Sequence, residues 1–173
     1  MSSQPMSSTG HHWWQAARRR TTAVQQGATA MGWVLLLLGV AGFLPLFTSN
    51  FSGMAFAGPD STAELFGVFS VSVLSNLVFL AFGVLGLFMG WGAVVSRRYL
   101  IVVGALLALL GLYGLIATGG ADFMPANAAA GWLHVGLGLV MIAFAFVLHR
   151  KLPKESEARG EGAFGETNRG AAR

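Results

Sequence analysis

Four long apolar stretches, residues 31–47, 65–95, 99–118 and 131–148, contain no Lys, Arg, Asp or Glu. A bilayer crossing takes about 20 apolar residues, within a range of about 17 to 25. Hydrocarbon offers the backbone no hydrogen-bond partners, so such stretches must be helical. The second is longer than one crossing requires, and its N-terminal turns are expected to project beyond the bilayer. Composition agrees with lipid as the solvent. Hydrophobic residues make up 54% of the 173 and charged residues 10%, against about 25% charged in soluble domains.

The basic residues give the orientation. Arg18, Arg19 and Arg20 precede the first stretch, Arg97 and Arg98 lie between the second and third, and the remaining Lys and Arg follow the fourth. With four crossings, all eleven fall on one side, while Asp60, Glu64 and Asp122 fall on the other. The positive-inside rule places the basic side in the cytoplasm. The net charge of +4 therefore reports topology. It does not point to nucleic acid, because the cations flank apolar runs and do not share one polar face. Trp91 and Tyr99 at the inner face, and Trp132 at the outer, suit an aromatic belt.

These features predict an all-α, polytopic protein of the cytoplasmic membrane with four transmembrane helices. Residues 28–149 form the membrane domain. Residues 1–27 and 150–173 are cytoplasmic tails too polar to order themselves. His11, His12, Trp13 and Trp14 either lie on the anionic leaflet or belong to a flexible tail. Ala55-Phe56-Ala57 resembles a signal-peptidase site, but the apolar core before it is too long for a signal peptide, so helix 1 is expected to be retained. Gly58-Pro59-Asp60 marks a turn. Ser61 and Glu64 have capping-box spacing, which predicts that helix 2 starts there. Asn127 is the expected cap for helix 4. No strand is expected.

The helices repeat. At one constant offset Ser72 matches Asn127, Phe79 matches His134 and Gly83 matches Gly138, and at another Leu38-Gly39 matches Leu110-Gly111. Helices 1 and 3 run the same way, so the two hairpins form parallel repeats about an axis along the membrane normal. Helix 2 carries Ser72, Asn76, Phe79, Gly83, Gly86 and Gly90 at alternating spacings of four and three. Helix 4 carries Asn127, Gly131, His134, Gly138, Met141 and Ala145 in the same way, and helix 3 carries Gly104, Ala108 and Gly111. Such spacings keep residues on one face, and small residues let membrane helices approach closely. Gly83, Gly86, Gly90, Gly104, Gly111 and Gly138 are the expected packing positions.

Ser72, Asn76, Asn127 and His134 form the candidate polar cluster. His134 is the one ionisable group within a span, a default functional hypothesis. The plainer reading is a neutral imidazole bonded across the bundle to Ser72, Asn76 or Asn127. Cofactor and catalytic constellations are not visible. Haem ligation by two histidines would need a second one facing His134, and the spans hold no His/Asp/Glu cluster for a metal.

The stretches FSVSVLSNLVFLAFGVLGL (69–87) and PANAAAGWLHVGLGLVM (125–141) resemble the two signature stretches of an uncharacterised four-helix bacterial membrane family, a domain of unknown function common in high-GC Gram-positive bacteria. The resemblance covers roughly residues 30–148 and implies a four-span protein without an established activity. Asn76, Asn127 and His134 match its pattern. Where that pattern has an asparagine and two histidines, this chain has Ser72, Ser75 and Phe79. Where it favours Asp and Asn, this chain has Ala130 and Gly131. Any ligand site made by the family's histidines would be largely lost here, and the outer half of the bundle would be drier.

The leading expectation is a non-enzymatic structural or accessory membrane protein without a cofactor, whose partners are the lipid bilayer and itself or another membrane protein, not nucleic acid. The alternative is a small-molecule or lipid-binding, transporter-like module with its site near the outer ends of helices 2 and 4. A cofactor-bearing redox bundle ranks last.

Overall fold

The computed structural model describes residues 21–116 and 127–148. Four helices dominate: α1 (Ala23–Gly42), α2 (Val73–Met89), α3 (Ala93–Ile116) and α4 (Ala128–Val147). α1, α3 and α4 are each long and apolar enough to cross a membrane, and α2 is apolar throughout but has 17 residues. At 1.5 Å per residue, α1 and α4 run about 30 Å, close to the hydrocarbon thickness. Large apolar side chains point away from the bundle on every helix, among them Leu37, Phe88, Leu109 and Trp132, each more than 60% exposed. A soluble monomer rarely exposes so much apolar surface. The chain is a multi-pass helical membrane protein.

The starts of α1, α2 and α4 have a local chemical cause in a side-chain cap. Thr22 opens α1 with a capping box: its Oγ1 accepts from Gln25 N–H at 3.4 Å, and Gln25 Oε1 accepts from Thr22 N–H at 2.8 Å. α1 begins inside the segment expected to be tail, because Thr22 caps it there. Phe43 closes the helix, and Pro45, which has no N–H, prevents its continuation. Ser72 and Ser75 form a second capping box at the start of α2, with N–H to Oγ distances of 2.8 and 3.2 Å.

That second box corrects the expected start of helix 2. The Ser61/Glu64 spacing matches a box equally well, yet Ser61 Oγ donates to Val71 O at 2.6 Å and Glu64 lies in a strand. Only a helix begun at Ser72 is followed at once by the small-residue face that packs on α1. The expected projecting turns are instead a three-stranded antiparallel sheet: β1 (Thr48–Ser49), β2 (Glu64–Leu65) and β3 (Phe69–Ser70), in that order. Thr48 pairs with Leu65, and Leu65 with Phe69. No strand was expected, since two-residue strands leave no alternating pattern. Phe66 and Gly67 both take positive φ (55° and 69°) to turn the chain between β2 and β3. Glycine does this freely; Phe66 is held by its N–H to Phe47 O (2.7 Å) and by edge-to-face contact of the two rings. Gly58 (φ 83°) makes the expected turn. Ala63, Leu65 and Val71 give this layer a small core against Leu38 and Ala41 of α1. Thr48 Oγ1 donates to the carbonyls of Ala41 and Gly42 at the end of α1.

At the opposite end only Gly90–Gly92 separates α2 from α3. Arg97 and Arg98 therefore lie within α3 and not between helices as expected, because this glycine-flanked turn is complete by Ala93. Tyr99 departs from the expected belt as well. It is 3% exposed, and its hydroxyl donates to Phe82 O at 2.9 Å, joining α3 to α2.

The tightest contacts lie within two hairpins, α1–α2 and α3–α4. A Cβ placed on Gly39 would lie 2.8 Å from Leu80 N and 2.9 Å from Asn76 O; on Gly111, it would lie 2.6 Å from both Val135 N and Gly131 O. On Gly32 it would meet Gly83 O at 3.0 Å, and on Gly104 it would meet Gly138 O at 2.9 Å. On Gly83 it would lie 2.5 Å from Leu36 N, and on Gly138, 2.6 Å from Ala108 N. Each contact in the first hairpin recurs in the second, at an offset of 72 residues for α1 to α3 and 55 for α2 to α4. The parallel repeat is thus a repeat of backbone contacts. The two offsets differ by 17 residues, so equivalent positions lie 17 residues further apart in the first hairpin, and its connection from α1 to α2 holds the sheet.

Candidate functional site

The candidate cluster lies where α2 and α4 begin, beneath the small sheet. Ser72 and Asn127 occupy matched positions and both cap helices. Ser72 is fully buried and bonded to Ser75. Asn127 Oδ1 accepts from Ala130 N–H at 2.8 Å and from Ser70 N–H at 3.4 Å, while its Nδ2 donates to Val68 O at 2.7 Å. One side chain thus starts α4 and holds the β2–β3 turn of the other hairpin against it.

His134 is 7% exposed, and its Nδ1 lies 2.7 Å from Ala130 O, one turn back on its own helix. A carbonyl can only accept, so Nδ1 carries the proton. The bond across the bundle to Ser72, Asn76 or Asn127 is not made. Four residues of separation puts Ala130 O directly behind the ring, and the other three side chains have partners or neighbours of their own. What crosses the bundle is the ring face: His134 stacks on Phe79 at 5.1 Å between centroids, with planes 19° apart. These are the matched positions of the repeat, so the pseudo-twofold axis passes between the two rings. Phe79 stands where the family resemblance places a histidine, and it gives His134 an apolar partner.

Asn76 is the unsettled member. It is fully buried, its amide fills the space left by the missing side chain of Gly42, and its Nδ2 lies 3.9 Å from Met54 Sδ, a weak acceptor. Its Oδ1 has no hydrogen-bond partner, a state that costs about 1–3 kcal/mol. The Asn76 amide thus packs between Gly42 at the end of α1 and Met54. The expected cluster is two caps, a stacked ring and an isolated amide, with no hydrogen bond linking Ser72, Asn76 or Asn127 to His134. Among the described residues no three His, Asp or Glu come together as a metal site would require.

Gly83, Gly104, Gly111 and Gly138 make the backbone contacts above. Gly86 faces Gly32 and the Tyr99 hydroxyl. Gly90 caps α2, and its carbonyl accepts from Gln25 Nε2 at 3.0 Å, tying the start of α1 to the end of α2. Sequence reasoning missed Gln25, Tyr99 and the bridging bonds of Asn127. A capping-box search at Thr22 would have found the first; the other two depend on partners distant in sequence.

Replacing Asn127 separates its two roles. Asn127→Ala removes the cap, at about 0.5–2 kcal/mol, and the bond to Val68. Asn127→Ser keeps a capping hydroxyl but cannot reach Val68. Hydrogen–deuterium exchange across residues 66–72 is expected to rise in both variants, and the melting temperature to fall more for Ala. Unchanged exchange in that peptide would show that Asn127 does not hold the turn.

The chain matches no curated protein and no solved structure. One family matches, described as a domain of unknown function (DUF4383), over residues 25–147. The match begins two residues into α1, ends on the last residue of α4, and takes in both hairpins with the small sheet. The chain belongs to the DUF4383 family.

Proposed function

We propose that this protein crosses the cytoplasmic membrane four times, keeps both termini in the cytoplasm, and serves as a non-enzymatic structural or accessory subunit. The observation that carries this reading is how its few buried polar side chains are used. Ser72 and Asn127 cap helices, Asn127 also clamps the outer layer, and His134 is bonded to its own helix and stacked on Phe79. Polar groups committed to the fold suit a rigid body that presents surfaces to other membrane components. The outward-facing apolar side chains of every helix, and those of Leu46, Phe56 and Phe66 in the outer connection, supply such surfaces.

Four crossings are supported by the length of α2, at the lower end of what a span requires, and by its pairing along α1. Charge supports the orientation. Among the described residues the cations are Arg97 and Arg98 and the acids are Asp60 and Glu64, at opposite ends of the bundle. The alternative, a small-molecule or lipid-binding module at the outer ends of α2 and α4, is favoured by one observation, the unpartnered Oδ1 of Asn76.

The sequence has no cysteine, so single introduced thiols report topology directly. Asp60→Cys should react with an impermeant maleimide on intact cells, and Lys154→Cys only after permeabilisation; the reverse pattern would overturn the orientation. Native mass spectrometry of the protein extracted gently from its own membrane tests the role. A stoichiometric assembly with a second membrane protein or further copies, retained in His134→Ala, is expected. A bare monomer carrying one recurring small molecule that is lost in Asn76→Ala would instead establish the alternative.

A further inference from the structure

The two hairpins meet along two seams, α4 against α1 and α2 against α3, which the repeat would make equivalent. They differ. At the first, Gly27 of α1 lets α4 close in: a Cβ there would lie 2.7 Å from Leu148 Cδ1 and 3.3 Å from the Phe144 ring. At the second, the position matching Gly27 is Tyr99. Its ring and its bond to Phe82 O occupy the seam and leave a lateral groove of about 460 Å³. Phe82, Leu85 and Met89 of α2 line one wall, and α3 from Val95 to Leu106 lines the other.

Three features specify what fills this groove. Its walls are apolar and open sideways, where a membrane protein meets acyl chains. From Val95 to Leu106 it extends about 16 Å along α3, roughly half the hydrocarbon thickness and so the depth of one leaflet. Arg98, exposed and part of the lining, lies toward the groove's basic end. Among the described residues no carboxylate is found at that end, since Asp60 and Glu64 belong to the outer connection. An arginine near a helix end extends its guanidinium to the headgroup level. Arg97 is turned the other way, over the Phe146 ring of α4 at 5.6 Å.

We propose that the α2–α3 groove is a binding site for one anionic glycerophospholipid, with an acyl chain along Val102 and Leu106 and the headgroup phosphate on Arg98. This site lies at the opposite end of the bundle from the polar cluster and does not depend on it.

The test is native mass spectrometry of the full chain released from maltoside micelles titrated with phosphatidylglycerol or phosphatidylcholine of the same chains. The wild-type protein should retain one phosphatidylglycerol in preference to phosphatidylcholine by about five-fold, the size expected for one basic residue at an anionic surface. Arg98→Gln should remove the preference and Arg97→Gln should keep it. Leu106→Trp, which fills the groove, should lower retention of both lipids while the protein stays monodisperse with an unchanged melting temperature. Equal retention of the two lipids by the wild type, or equal losses in both arginine variants, would overturn the proposal. So would retention of phosphatidylglycerol that appears only after residues 150–173 are deleted, because the tail would then be the natural occupant.

Discussion

In a bilayer, helices gain nothing from burying one apolar surface against another, because lipid tails are equally apolar. What holds them together is close packing and the few hydrogen bonds they exchange. In this protein that constraint is met by glycine. Gly32, Gly39, Gly83, Gly104, Gly111 and Gly138 bring backbone against backbone at distances that admit no side chain, and the two hairpins follow from those contacts. The same environment explains the polar residues. Helix ends leave N–H groups without partners, and these must be met inside the protein wherever water is excluded. Thr22, Ser72 and Asn127 meet them.

The repeat organises the molecule, and its departures from symmetry mark what is particular to this chain. The axis runs between Phe79 and His134, so the chain places two different rings where strict symmetry would place a like pair. The first hairpin carries a longer connection between its helices, with its own sheet and small core, and Asn127 of the second hairpin clamps it. At one seam Gly27 packs against Phe144 and Leu148; at the other Tyr99 bonds to the Phe82 carbonyl beside a groove. None of these departures alters the glycine contacts inside the hairpins.

Much of this was legible in the sequence. Spacings of three and four repeat over several turns, and Asn76, Phe79, Gly83 and Gly86 of α2, with Gly131, His134, Gly138, Met141 and Ala145 of α4, are buried along them. The constant offset from Phe79 to His134 identified two positions that prove to touch. Local signals were weaker wherever two competed. Ser61-xx-Glu64 and Ser72-xx-Ser75 have the same spacing, and only packing on α1 decides between them. The strands were invisible at two residues each. Tyr99 looks like a belt residue until α2 is known to offer it the Phe82 carbonyl. For His134, a partner four residues back was closer to hand than any across the bundle. The groove was hidden because it arises from a difference between Gly27 and Tyr99 that matters only once the repeat has aligned them.

The claim that the bundle is two copies of one glycine-packed hairpin is tested most directly by melting Gly83→Ala, Gly138→Ala and Gly136→Ala in the same detergent. The added methyl would press on Leu36 N in the first variant and Ala108 N in the second, and would meet nothing within 4 Å in the third. The two matched variants should lose similar stability, about 1–3 kcal/mol each. Gly136→Ala should be neutral or slightly stabilising, since alanine is the better helix former. A neutral result for either matched variant, or an equal loss in all three, would contradict the account.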